Sequence, residues 1–286
     1  TAATGCDTGM VPAPLLQLSE SQRRAIVVDI SGARLYVVEQ TATGLSLLSD
    51  NYVSTGKRGP MKLREGDQRT PLGVYFITMR LDPRTLSDFY GAGALPINYP
   101  NEWDLRHGRT GHGIWVHGVP SSTYARTPRA SDGCMALPNV NMRELLRLSS
   151  AGHTPVVIAD ELDWIDGHEL SRRRNAFLAQ FENWRKDWES LDFDRYARHY
   201  AADFSGEGYD IGSWLRHKKR VNRAKKYIAV EVEDLSVFAY PGESGMVLAS
   251  FEQRYRSNNY SGVSRKRQYW RKDKTGNWRV VYEGTA

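Results

Sequence analysis

The sequence predicts two domains, the first mainly β and the second α+β. Three observations carry that prediction. The chain has 286 residues, more than one average domain holds. From Ala25 to Asp160, short runs rich in Val, Ile and Tyr alternate with Gly- and Pro-bearing turns. From Ser171 the apolar period becomes helical: Phe177, Phe181, Trp184, Trp188 and Leu191 step by four, three, four and three, and long strand-like runs follow the helical ones. The predicted boundaries are a lead-in over 1–24, a first domain over 25–160, an acidic linker over 161–170 and a second domain over 171–286.

Taken in order, the small-residue lead-in yields to regular structure at Ala25. Ile26–Ile30 and Arg34–Val38, joined by Ser31-Gly32-Ala33, read as a β-hairpin, because β-branched residues flank a glycine turn. Leu45–Val53 and Val74–Thr78 read as strands. Ser54–Pro60 and Glu65–Gly73 between them are turn-rich. Residues 82–110, rich in Gly, Pro and aromatics, predict an irregular functional loop or lid. Gly113–His117 is a short strand ending at a histidine. Met142–Leu148 predicts a helix capped by Asn141 with Glu144, and His153–Ile158 a closing strand. In the second domain, Asp192 is placed to cap a second helix carrying Phe193, Tyr196, Tyr200 and Phe204. A basic helix spans Gly212–Lys226, and strands cover Tyr227–Tyr240, Met246–Tyr255, Ser264–Lys272 and Trp278–Tyr282.

Composition narrows the class. A hydrophobic fraction of 40% and a charged fraction of 25% suit a globular chain, and apolar runs such as Ile26–Val28 are far too short for an integral membrane segment. Residues 1–167 carry 16 Lys and Arg against 17 Asp and Glu, whereas residues 168–286 carry 23 against 16. The basic second half suits an anionic polymer or surface. Nucleic acid is not the expected partner, because the basic residues form no recognisable motif. A disulfide between Cys6 and Cys134 is not the expected state either, since Cys6 lies in the small-residue lead-in. Metal binding is not expected: there is no Cys-x-x-Cys, and His107, His112 and His117 fall five apart, on opposite strand faces for neighbours.

The chemistry gathers between His117 and Cys134. Gly133 lets the backbone approach a substrate closely, and the residues after Cys134 can open a helical turn whose N–H groups would favour a thiolate. His117, at a strand end and followed by Gly118, can reach a loop nucleophile and serve as its base. A lone cysteine is more often a buried small hydrophobe, and a lone histidine more often a hydrogen-bonded core residue. The pair is what raises the odds. No Gly-x-Ser-x-Gly elbow supports a serine hydrolase.

His117-Gly118, a spacer, and Ser131-x-Gly133-Cys134 resemble the signature of YkuD-type L,D-transpeptidases. Ser54-Thr55-Gly56-Lys57, Gly66-Asp67-x-x-Thr70-Pro71-x-Gly73-x-Tyr75 and the Leu35-Tyr36-Val37 hairpin match in the same order, so the resemblance covers about residues 25–159. It implies a β-rich sandwich acting on bacterial peptidoglycan stem peptides in the periplasm or cell envelope, with any leader removed. Cys134 would be nucleophile, His117 base, and the Gly118 carbonyl the group that orients the imidazole. The N–H groups of Gly133 and Cys134 would form the oxyanion hole. Attack after the third stem residue would expel D-alanine and leave a thioester, resolved by an amine acceptor in transpeptidation or by water in L,D-carboxypeptidation. No metal or organic cofactor is implied.

Two departures stand out. Asp132 replaces a histidine common in the family, and Ala136 replaces an arginine two residues past the cysteine. The carboxylate-gripping role must then fall elsewhere, with Ser131, Arg69, Arg106, Arg109, Arg126 and Arg129 available. The variant is nearer a YafK-related subgroup, whose members need not cross-link. The second domain resembles a nuclear-transport-factor-2-like (SnoaL-like) cone. Joined to a YkuD-type domain, it looks like the L,D-carboxypeptidases that shape the wall of helical bacteria, where the cone is a pocket for binding or for homodimer formation. The competing reading from another class is a non-catalytic wall-binding module with a degenerate first domain.

Overall fold

The computed structural model describes residues 9–286, so Cys6 lies outside the described residues. The chain forms two compact units, residues 9–14 with 20–165, and residues 15–19 with 166–286. The first is built on a five-stranded sheet in the order Gly44–Tyr52, Arg34–Thr41, Arg24–Asp29, Pro155–Ala159, Gly73–Phe76. The predicted hairpin is its centre: Val28 pairs with Leu35 and Asp29 with Arg34. Asp29 holds the turn by accepting from the Gly32 N–H at 2.7 Å. Pro155–Ala159 then lies parallel to Arg24–Asp29, which makes the sheet mixed.

A three-stranded sheet, Met135–Ala136, Trp115–His117 and Ala94–Pro96, supplies the other face. Val28, Leu35, Val37, Tyr75 and Ile158 of the larger sheet share one buried cluster with Leu95, Val116 and Met135 of the smaller. Met142 and Leu145 join it from the helix Asn139–Leu148. Apolar side chains at period two on both sheets thus meet in a common core, which is the condition for a sandwich. The small sheet lays the strand after Cys134 against the histidine strand: Ala136 pairs with His117 and Met135 with Val116.

Several expectations need correcting. Among the described residues, regular structure is already present at Met10, before Ala25. Met10–Pro12 pairs with Trp164–Asp166, and Leu15–Gln17 is the edge strand of the second unit's sheet. Leu15, Leu16 and Leu18 are buried, and their apolar surface outweighs the loop-like composition around them. Residues 161–170 are not free linker. Trp164 packs edge-on against Tyr36 at 5.1 Å, and Asp166 accepts from the Glu169 N–H at 2.9 Å, starting a helix at Gly167. Within residues 82–110 lie two short 3-10 helices, a strand and the helix Glu102–Arg106. The helix after Cys134 starts at Asn139 behind Pro138, so Asn141 is no cap; its Nδ2 donates to Asn51 Oδ1 at 2.6 Å.

In the second unit the helix Gly167–Glu189 buries Phe177, Phe181, Trp184 and Trp188, the predicted stripe. Leu191 falls outside it, in a turn with φ 62°. The stripe covers a seven-stranded sheet: Phe177 meets Trp270 at 5.7 Å and Phe181 meets Phe251 at 5.1 Å, both edge-on. Such aromatic geometry adds to simple area burial. Asp192 does cap the next helix, accepting from the Arg195 N–H at 3.0 Å, but that helix ends at Ala197 and Tyr200–Gly206 is a strand. The basic helix Ile211–Arg223 follows, then the long strands. Between helix and sheet lies a cavity of about 520 Å³, lined by Trp188, Lys218, Tyr255 and Lys266 among others. Among the described residues, no helix is long and apolar enough to cross a membrane.

Candidate active site

Two turns hold the pair. Gly133 adopts φ 127°, and a Cβ there would stand 2.7 Å from the Arg69 carbonyl oxygen, so only glycine fits. The buried Thr70 hydroxyl donates to the Gly133 carbonyl at 3.0 Å and accepts from the Gly56 N–H at 2.9 Å. This explains the Thr70-Pro71 and Thr55-Gly56 segments physically: they brace the turn that carries the thiol. Ser131, also buried, donates to the Cys134 carbonyl at 2.6 Å and accepts from the Gly133 N–H at 3.1 Å. The predicted oxyanion donor on Gly133 is therefore already engaged, and Ser131 shapes the turn.

The predicted helical turn after Cys134 is absent, because Met135–Ala136 pairs as a strand with Trp115–His117. The backbone directly after the sulfur is therefore a strand and not a helix N-terminus, and the electrostatic consequence is direct. Burial pushes the Cys134 thiol above its ordinary value, only partly offset by the Trp115 N–H, which donates to Sγ at 3.4 Å. The thiol itself donates to the Gly113 carbonyl at 3.3 Å.

His117 is 1% exposed, and its Nδ1 lies 2.6 Å from the Gly118 carbonyl oxygen. That carbonyl can only accept, so Nδ1 carries the hydrogen and Nε2 keeps its lone pair. Burial pulls the His117 pKa down to about 4, against the opposing effect of the Gly118 carbonyl. Gly118 has no room for a side chain: a Cβ would stand 2.3 Å from Asn139 Oδ1 and 2.8 Å from the Ala92 nitrogen. Asn139 is the clamp that sequence reasoning missed. Its Oδ1 accepts from Ala92 and Val119 N–H groups at 2.8 and 3.2 Å, and its Nδ2 donates to the Val119 carbonyl at 2.7 Å. Phe89 and Tyr90 were also missed. Their rings flank the imidazole at 5.8 and 5.3 Å between centroids.

The arginines separate cleanly. Arg69 is spent on loop carbonyls, donating to Arg58 and Pro60 at 2.8 and 2.9 Å. Arg109 pairs with the fully buried Asp104 at 2.9 Å, and Arg106 lies over the Trp103 ring at 5.5 Å. Arg129 is exposed and sits beside Gly59. Arg126 lies over Phe89 at 4.4 Å, and its charge acts on both His117 and Cys134. Asp132 accepts from Lys57 Nζ at 2.8 Å and Gln68 Nε2 at 3.0 Å, and the Lys57 hydrogen bond holds it below the usual carboxylate range.

A mixed-sheet sandwich in which the strand that ends at an oriented neutral imidazole pairs with the strand after a half-buried thiol, followed by an α+β cone, is the architecture of a two-domain L,D-transpeptidase-type protein. Residues 23–158 match the YkuD family, the L,D-transpeptidase catalytic domain, and residues 176–284 match the Cds6 C-terminal NTF2-like domain. The structure of Bdellovibrio bacteriovorus Bd1075 is 30% identical, with 97% of this chain and 98% of that one covered at a TM-score of 0.84. The helical cell shape determining protein Pgp2 from Campylobacter jejuni shares the fold, at 22% identity, 94% and 95% coverage and a TM-score of 0.79. No curated protein sequence matches the chain. The chain belongs to the YkuD L,D-transpeptidase family and carries an NTF2-like domain after the catalytic one.

Proposed function

We propose that the chain is a cell-envelope cysteine enzyme that cleaves the L,D-peptide bond after the third residue of a peptidoglycan stem peptide. The observation that carries the reading is the oriented, neutral His117 on the strand that pairs with Met135–Ala136, directly after Cys134. In this reading Nε2 takes the thiol proton as Sγ attacks the carbonyl carbon. The new S–C bond replaces the C–N bond, and the proton passes to the departing D-residue's amine. With the Gly133 N–H engaged by Ser131, the oxyanion falls to the Cys134 N–H. Water, deprotonated by His117, then hydrolyses the thioester and restores the thiol.

Water as acceptor is supported by the pairing of the two domains, the arrangement that the resemblance attaches to wall-shaping L,D-carboxypeptidases, and by a fold shared end to end with a helical cell shape determining protein. Transfer to an amine acceptor is the second reading, favoured by the match to the L,D-transpeptidase domain. Tetrapeptide-bearing muropeptides incubated with the protein and read by mass separate the two: tripeptide alone means hydrolysis, whereas dimers or exchanged D-amino acids mean transfer. Full activity in Cys134→Ala would refute both.

A further inference from the structure

We infer that Arg126, held on the face of Phe89, binds the free α-carboxylate of the departing D-residue and makes the enzyme selective for uncapped stem tails. The inference rests on the stem-peptide reading above and names the specificity of that same site.

Geometry singles Arg126 out. Of the five arginines that could replace the one missing at Ala136, Arg69 is spent on carbonyls and Arg109 on Asp104. Arg106 packs over Trp103, and Arg129 projects beside Gly59. Arg126 makes no ion pair with a carboxylate among the described residues, and its one close partner is an aromatic face at 4.4 Å. That same ring sits 5.8 Å from the His117 imidazole, so Phe89 bridges the guanidinium to the base. Contact with the ring face leaves the guanidinium N–H groups without a carboxylate among the described residues, and arginine takes a carboxylate with two parallel hydrogen bonds.

The backbone beneath it is equally fixed. The Tyr52 hydroxyl donates to the Arg126 carbonyl at 2.7 Å, and the Ser54 hydroxyl to the Thr127 carbonyl at 2.6 Å. Both anchors come from the end of the strand Gly44–Tyr52 and the bridge after it, so the arginine is aimed before substrate arrives. Preorganisation of this kind reduces the ordering cost of binding. The field agrees with the placement: the Arg126 charge is felt by His117, Cys134 and Asp132 alike.

The chemistry sets the consequence. In a tetrapeptide tail the D-residue that leaves ends in a free carboxylate, close to the scissile carbonyl. In a pentapeptide, or in a tail cross-linked through its D-residue, that carboxyl is an amide and offers no charge to the guanidinium. Arg126 would therefore direct the enzyme to uncapped tetrapeptides and away from capped or cross-linked ones.

The test compares a stem tetrapeptide with its C-terminal amide, using the full chain. The wild-type protein should cleave the acid at least about 10-fold better in kcat/KM. Arg126→Gln should lower kcat/KM for the acid on the order of 30-fold, mainly through KM, and leave the amide within about two-fold. Arg126→Lys should recover part of the loss, and all variants should unfold at the wild-type temperature. Equal loss on acid and amide, or no loss on either, would overturn the assignment while leaving the thioester reading intact. A wild-type chain that cleaves neither peptide, though iodoacetamide still labels Cys134, would remove that reading and the assignment with it.

Discussion

The Gly118 carbonyl oxygen lies 2.6 Å from Nδ1 of the residue before it, His117, and this one contact decides which nitrogen can act as base. It does so without a carboxylate. An acid partner would favour the imidazolium, whereas a neutral carbonyl in a buried site leaves desolvation dominant, and the His117 pKa settles at about 4.

The pH dependence follows from that. Protonated His117 cannot take the thiol proton, so activity is lost as pH falls through the folded pKa of about 4, not through the ordinary 6.5. A profile of kcat/KM on a stem tetrapeptide should stay flat from neutrality down to about pH 5 and fall below it. An acid limb centred at 6.5 would contradict the neutral-base geometry. His117→Ala should cost roughly 10²- to 10⁴-fold in kcat/KM, the usual share of a positioned base.

Thiol reactivity gives an independent measure of the same pair. Because burial raises the Cys134 thiol and the segment after it is a strand rather than a helix N-terminus, the resting pair is thiol and imidazole rather than thiolate and imidazolium. Iodoacetamide alkylation of Cys134 should accelerate through the alkaline range, with its midpoint above that of an unperturbed cysteine. His117→Ala should leave that midpoint in place. Rapid alkylation at pH 6, abolished by His117→Ala, would show an ion pair instead.

Much of this was legible in the sequence because it depends on local pattern. β-branched residues around Ser31-Gly32 gave the hairpin, and the stepping of Phe177, Phe181, Trp184 and Trp188 gave the long helix. What failed was ambiguous in period. Tyr200 and Phe204 stand four apart, which suits one face of a helix and equally one face of a strand, and the sheet claimed them. Met135-Ala136-Leu137 likewise reads as helix or strand, and only pairing with Trp115–His117 decides it. Asn139 was invisible because its partners, Ala92 and Val119, lie 47 and 20 residues away. Five arginines looked alike until packing placed one of them, Arg126, over the Phe89 ring that flanks the imidazole.

The clamp itself is testable. Asn139→Ala would leave the Ala92 and Val119 N–H groups without their acceptor, a cost of about 2–3 kcal/mol if water cannot replace it. Gly118→Ala would force its Cβ against Asn139 Oδ1 and the backbone of Tyr90 and Ala92, costing about 1–3 kcal/mol and tilting the carbonyl that orients His117. Urea unfolding should register both losses. Gly118→Ala should lower kcat by a larger factor than its stability loss alone would produce; unchanged kcat would detach the carbonyl from catalysis.

The loop that braces the thiol's turn holds a buried ion pair of its own. Lys62 and Asp67 form an ion pair at 2.9 Å with side chains only 3% and 8% exposed, so neither charge has water to fall back on. Burial alone would raise the Asp67 carboxyl. Lys62 and the N–H groups of Arg64, Leu63 and Arg69 outweigh it and hold the pKa at about 2. Lys62→Met keeps the packing and removes the cation, leaving a buried carboxylate short of its partner, at a cost of about 3–5 kcal/mol at neutral pH. The deficit should depend on pH in a defined direction. A folded pKa of about 2 against an ordinary 3.8 means that the pair's stabilisation is complete above 3.8 and fades as pH falls toward 2. His117 also destabilises the fold in acid, between 6.5 and about 4, but equally in both proteins. Urea unfolding of wild type and Lys62→Met should therefore give a constant difference from pH 8 to about 5, shrinking below 4. A difference that stayed constant to pH 3 would mean that Lys62 stabilises the loop by packing and not by its charge.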